Sequence, residues 1–515
     1  MNLKKNYHYL AVFFLFLIIS FLLASYLDLN RHWSYNYDQE FTLIYNALLF
    51  NNGKSIEYVA HPGFFTILFL SLFFKLLFLF NFLTVDKLSL LSVENFDQSF
   101  QILIFYTRVY STICIAVFCS STYAIFYQFS KIKIYSYILS LLIFISFGLI
   151  THVAQLRTEL IAMFFVILSM ISLKIFFEKN TKYKIFYLAY FFLFLFCALL
   201  NKMQVFFFLP LLFLFFYFCE NNIEDFNTRE FSFLEKKWIP FILFFIILFY
   251  LYIENKTQHP FPALSTFAIL FSLISMNLFF FLILKNNYKN IKINLVVINL
   301  CFILVFFLLK NFLSIHPSAS PVIFSNLTRI MNLSMYMSNA PEINDTFSFI
   351  SILFGNFWNN SSRILGDLIF KINGLIFLIL LNIFITIIYR KSLTPKLIKF
   401  NIVCCFVALS IMLINSYRNN GNILFQYYIF SNLFLVLPFC SFSKFLKYRY
   451  LILILILVFF VNFQANIKYL NQNKISTEAF TNQKIKNLCK SSYFYDWQRQ
   501  LKKEYYSNFC KKYLK

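Results

Sequence analysis

FFTILFLSLFFKLLFLFNFL, residues 64–83, decides how this chain sits. Twenty apolar residues are enough to cross a hydrocarbon layer roughly 30 Å thick. Yet Lys75 lies at the middle of the run, and VDKLSLLSVENFDQ (85–98) follows it with three acids and one base. If the run crossed, every later loop would change sides. Those loops are KIK at 131, KIFFEKNTKYK at 174, residues 229–237, KNNYKNIK at 285, RKSLTPKLIK at 390 and KFLKYR at 444, and together they carry 19 Lys and Arg. Cytoplasmic loops are enriched in these residues, so the 64–83 run is expected to lie on the outer surface or to insert only partly.

With that choice made, the other long apolar runs read as spans. Residues 9–27 follow Lys4 and Lys5 and outlast a signal-peptide core, which predicts an uncleaved anchor with a cytoplasmic N-terminus. Further spans are expected near 101–128, 134–153, 160–177, 185–200, 203–219, 238–253, 263–284, 294–313, 368–389, 400–416, 424–441 and 450–463. The expected fold is therefore an all-α polytopic membrane protein of about thirteen transmembrane helices, with interfacial helices in its first outer loop. Residues 1–465 form the membrane domain, and 466–515 form a basic tail on the outer side.

Composition agrees with this class. The 515 residues are 60% hydrophobic and 13% charged, with a mean hydropathy of +0.70, which excludes a soluble domain. The 77 Phe are good lipid-facing residues, and the seven glycines include no pair spaced to cradle a phosphate. A net charge of +24 sorts mostly into the short loops, where it sets topology and gives no reason to expect nucleic acid. Trp33, Trp238 and Trp358 fall at helix ends, as interfacial anchors do. In the tail, Cys489 and Cys510 are expected to form a disulfide, because the topology puts both in an oxidising compartment.

Charges are scarce, so their placement asks for a reason. The first outer loop, DLNRHWSYNYDQEFTLIYNALLFNNGKSIEYVAHPG (28–63), holds Asp38, Glu40, Glu57 and His61. Later outer loops add His152, Arg157 and Glu159, then Lys202, then His259, then His316, Arg329 and Arg363, and last Arg418. Carboxylates at 38, 40, 57 and 159 thus share one side with cations at 108, 157, 202 and 418. Ionisable groups gathered at one face of a membrane mark a site, here one suited to moving a group from an anionic donor to a neutral acceptor. Plainer roles stand beside this one. Asp38 could cap a helix with apolar positions 41, 44, 45 and 48, Glu159 could only pair with Arg157, and His61 could open a turn with Pro62. Lys202 and Arg418 could be snorkelling residues. His152 and Glu159, seven apart, could join Asp38 around a divalent metal ion.

YDQEFTLIYNALLFNNG followed by AHPGFFTILFL resembles the first outer loop of the type-C integral-membrane glycosyltransferases, notably the protein O-mannosyltransferase and aminoarabinose transferase group. The resemblance continues through Arg108, QLRTELIAMFF, ALLNKMQVFFFLP and RNNGNILFQYYIFSNLFLVLP, to about residue 440. It implies transfer of a sugar from a polyprenyl-phosphate donor to a lipid, glycan or protein acceptor, on the periplasmic side of a bacterial inner membrane. It also implies roles. Asp38 would be the base, with Glu40 and Glu159 as further catalytic carboxylates, and His61, Arg108, Arg157, Lys202, Arg418 and Tyr427 would bind substrate. Two other classes fit many helices with outer cations: a transporter or flippase of lipid-linked sugars, and a polysaccharide polymerase or ligase.

Overall fold

The computed structural model describes residues 7–27, 29–33, 40–54, 63–91, 95–153, 155–178, 184–202, 205, 373–417, 428–442 and 447–473. Among these residues there is no strand, and there are twelve α-helices. In chain order they are α1 (Tyr7–Tyr26), α2 (Thr42–Asn51), α3 (Phe64–Leu79), α4 (Phe96–Ser130), α5 (Lys133–Phe144) and α6 (Phe147–Val153). There follow α7 (Thr158–Glu178), α8 (Lys184–Asn201), α9 (Asn373–Ile388), α10 (Pro395–Tyr417), α11 (Tyr428–Val436) and α12 (Tyr448–Asn473). Three stretches are long and apolar enough to cross a membrane: Tyr7–Tyr26, Gln98–Ser130 and Thr158–Phe176. The spans expected near 203–219, 238–253, 263–284 and 294–313 lie outside the described residues.

Burial separates these helices into two kinds. α4 and α7 are largely enclosed, whereas α1 leaves Leu10, Phe14, Ile18, Phe21 and Leu22 exposed, an apolar face of the kind a bilayer covers. α1 and α4 run antiparallel: Tyr9 meets Tyr123 and Tyr127 at one end, and Leu29, just past α1, meets Arg108 at the other. α4 ends at Lys131, whose φ of +58° is a left-handed turn that stops the helix, and its N–H reaches Tyr127 O at 2.9 Å. The expected 134–153 span is broken at Ile145 and Ser146 into α5 and α6, two residues before the weak helix former Gly148.

The C-terminal helices dock on α5. Tyr135 Oη donates to Phe439 O at 2.9 Å, and Asn382 Nδ2 of α9 donates to Leu435 O at 2.8 Å, polar contacts of the kind that join helices in lipid. α10 starts where local chemistry favours it, with Pro395 at its first position and Thr394 before it. α12 runs on to Asn473, eight residues past the expected end of the membrane domain at 465. The tail, with Cys489 and Cys510, lies outside the described residues, and the six described cysteines are all free and buried.

α2 and α3 pack on each other as a module. Every residue of α2 from Thr42 to Leu49 is buried. α3 meets the bundle through Phe65 against Phe165, Thr66 on Asn201 and Phe73 against Tyr110. It buries Phe64, Ile67, Leu70, Ser71 and Phe74 and leaves Leu72, Leu76, Phe78 and Leu79 exposed. At 16 residues it is also shorter than the three spanning stretches.

Candidate functional site: a buried cluster of charges at one end of the bundle

Five helices bring their chemistry to one end because they alternate in direction. The chain after α1, the start of α7 and the ends of α6 and α8 all meet there, beside the stretch of α4 that carries Gln101, Arg108 and Ser111.

α4 holds the loop after α1 by its main chain. Arg108 Nη1 donates to Leu29 O at 3.1 Å and also to Arg31 O. Gln101, seven residues earlier and so two turns up the same face, donates through Nε2 to Asn30 O and Arg31 O, while its Oε1 accepts from Trp33 N at 3.0 Å. Trp33 is fully buried among Phe41, Phe96 and Phe100, so it serves the core and is not an exposed interfacial anchor.

Two carboxylates sit inside this frame, both fully buried. Glu40 Oε2 lies 3.3 Å from Arg108 Nη2, and its Oε1 accepts from Leu156 N at 3.2 Å. One side chain thereby ties the chain before α2, α4 and the α6–α7 loop together. Glu159 accepts from Arg157 Nε and Nη2, each at 3.3 Å, and lies 2.9 Å from Lys202 Nζ. His152 is also fully buried, and its backbone O accepts from Ser111 Oγ at 3.0 Å. Glu159 thus makes the Arg157 pair that a plain structural role would give it, and adds Lys202 from another helix. Removing one partner of a buried pair typically costs about 3–5 kcal/mol, because the other charge is left uncompensated.

Asn201 completes the frame and escaped the sequence reading. Its Nδ2 donates to Thr158 O at 2.6 Å, and its Oδ1 accepts from Thr66 N at 2.9 Å and Thr66 Oγ1 at 3.1 Å. The residue before α3 is Gly63, which has no side chain to cap the helix, so α8 supplies the acceptor that one of the first N–H groups of α3 needs. Gly63 also lets the module approach: a Cβ there would lie 2.5 Å from Thr158 Cγ2 and 3.1 Å from Leu43 Cδ2. The one signal in the sequence was position, since Asn201 directly precedes Lys202.

Of the expected site residues, the structure gathers Glu40, Arg108, His152, Arg157, Glu159 and Lys202. Asp38, Glu57, His61, Arg418 and Tyr427 lie outside the described residues, as do His259, His316, Arg329 and Arg363. Glu40 and Phe41 already form a helical turn ahead of Thr42, so the residue that caps this helix lies outside the described residues. No group of three His, Cys, Asp or Glu suited to a metal ion occurs among the described residues, so His152 and Glu159 are not joined there by a third ligand. No model of a known protein family matches the chain, and no curated protein matches it.

Proposed function

We propose that this chain is a membrane-embedded glycosyltransferase that moves a sugar from a polyprenyl-phosphate donor to an acceptor hydroxyl on the periplasmic side. The observation that carries this reading is the pair of fully buried carboxylates, Glu40 and Glu159, each held by cations at one end of an apolar bundle. Such groups are costly in a membrane protein and mark a functional site. The opposite end of α4 and α7 bears Lys131, Lys133 and Lys174, as a cytoplasmic face would.

A donor with a lipid tail and an anionic head must be met where the bilayer gives way to water. There Asp38 takes the proton of the acceptor hydroxyl, whose oxygen attacks the anomeric carbon while the bond to phosphate breaks, with inversion. The proton ends on Asp38, and the electron pair leaves on the polyprenyl phosphate. Phosphate is a good enough leaving group that a second acid is not required, in contrast to glycoside hydrolysis. Glu40, two residues beyond Asp38, is pinned by Arg108 and Leu156 N and so fixes the chain that carries the base. Arg157 and Lys202, the cations beside Glu159, are the groups that stabilise phosphate as its charge grows.

The test is turnover by the purified protein of a polyprenyl-phosphate-linked sugar, followed as free polyprenyl phosphate. Asp38→Asn should lower it by on the order of a hundredfold while leaving folding nearly unchanged. Movement of the intact lipid-linked sugar across vesicles without cleavage would replace the reading with a flippase. Near-normal turnover in Asp38→Asn would pass the role of base to Glu40 or Glu159.

A further inference from the structure

The two cations that pair with Glu159 reach it by different routes. Arg157 stands two residues away on the same stretch of chain, so that pair closes locally at the start of α7. Lys202 comes from another helix, and it lies one residue past the end of α8, whose last residue is Asn201. Helix ends fray, so α8 alone does not hold a side chain at that position still. Something must fix this end against α7 before an ammonium can sit 2.9 Å from a carboxylate.

Asn201 does so in register with the ion pair. Its Nδ2 donates to Thr158 O at 2.6 Å, so the contact of 201 with 158 stands directly beside that of 202 with 159. Through Oδ1 the same amide accepts from Thr66 N at 2.9 Å and Thr66 Oγ1 at 3.1 Å. An amide side chain carries donors and an acceptor on one planar group, which lets one residue hold a carbonyl of α7 and an N–H of α3 together. Thr158 is also confined by α3, since its Cγ2 lies against Gly63. Thr66, Thr158, Glu159, Asn201 and Lys202 are all buried, so solvent does not replace a bond lost here.

We propose that Asn201 is the positioning residue of the cluster: by tying the end of α8 to the first turns of α7 and α3, it sets Lys202 against Glu159 where the ammonium can serve a phosphate. It acts through Lys202 and takes no part in bond making. The service to phosphate rests on the glycosyltransferase reading, whereas the positioning of the ion pair does not.

The test is a pair of double-variant cycles on the full-length protein in micelles. In turnover of the polyprenyl-phosphate-linked sugar, Asn201→Ala should lower kcat by on the order of tenfold, because a displaced cation meets the growing charge poorly. Once Lys202→Met is present, the same change should lower it by no more than about twofold. In unfolding, the midpoint shift caused by Lys202→Met should shrink by about half or more in the Asn201→Ala background. Arg157→Met, whose pair closes within its own stretch of chain, should shift the midpoint equally in both backgrounds. A residue that only held α3 in place would give independent losses. A further fall in kcat of about tenfold on top of Lys202→Met, midpoint shifts that add, or equal coupling to Arg157→Met therefore overturns the proposal. If the wild type turns over no lipid-linked sugar, the glycosyltransferase reading falls and the unfolding cycle alone decides the positioning. If Asn201→Ala does not fold, Asn201→Asp, which keeps the acceptor for Thr66 and loses the donor for Thr158, replaces it in both cycles.

Discussion

The two ends of the helix pair α4 and α7 treat charge in opposite ways. At one end Arg108, Arg157, Lys202, Glu40 and Glu159 are buried, Glu40 paired with Arg108 and Glu159 with Arg157 and Lys202. At the other, Lys131 and Lys133 are exposed, and Lys174 lies 2.7 Å from Gln128 O and over the ring of Phe129. The exposed end needs only the sign of its charge, which water solvates and which sets orientation. The buried end needs geometry as well, because each ion there is stable only while its partner stays in place.

Breaking the buried end should have the largest effect. Glu159→Leu leaves Lys202 and Arg157 without their shared carboxylate and should cost about 3–5 kcal/mol, read as a loss of denaturant stability in micelles. Adding Lys202→Met should recover part of that loss. If the double variant is no better than the single, the pair is not the unit that holds α7 to α8. Gly63→Ala sharpens the comparison at the seam between the first-loop module and the bundle. The new Cβ meets Thr158 Cγ2 on a stiff β-branched side chain, so the expected cost is about 1–3 kcal/mol. Thr158→Ser removes that methyl and should restore most of it, and failure to do so would place the strain on Leu43 instead. At the exposed end, Lys131→Ala should change stability by no more than about 0.5 kcal/mol in the same unfolding assay. A larger loss would mean that the left-handed turn at Lys131 matters more than its exposure suggests.

Much of the frame was legible because length and apolarity decide it. α1, α4, α7 and α8 lie close to their expected ranges, since about twenty apolar residues in a row have few other uses. Short events were harder to read. The break at Ile145 and Ser146 interrupts an apolar run with no proline to mark it, and α12 continues through NIKYLNQN, where the apolar pattern has already ended. Within the cluster, charge gave away the carboxylates and their cations, since an ionised group stands out in an apolar sequence. Asn201 and Gln101 did not stand out. Their work is done by hydrogen bonds to main-chain groups that are distant in sequence, and no local pattern records such bonds. Trp33 misled for a related reason, because a tryptophan at a helix end looks the same whether it faces headgroups or three phenylalanine rings.

The cap that α8 gives to α3 also sets an order in time. Thr66 and Asn201 are 135 residues apart in the chain. At about 5–20 residues per second, a ribosome needs roughly 7–27 s to pass from one to the other. During that interval α3 has left the ribosome with the amide of Thr66 unserved by its final partner, while α4 and α7 are being laid down around it. The first-loop module therefore cannot take its finished seat as it emerges. It must wait until the end of α8 arrives, and a pause in synthesis before Asn201 would prolong that wait in direct proportion.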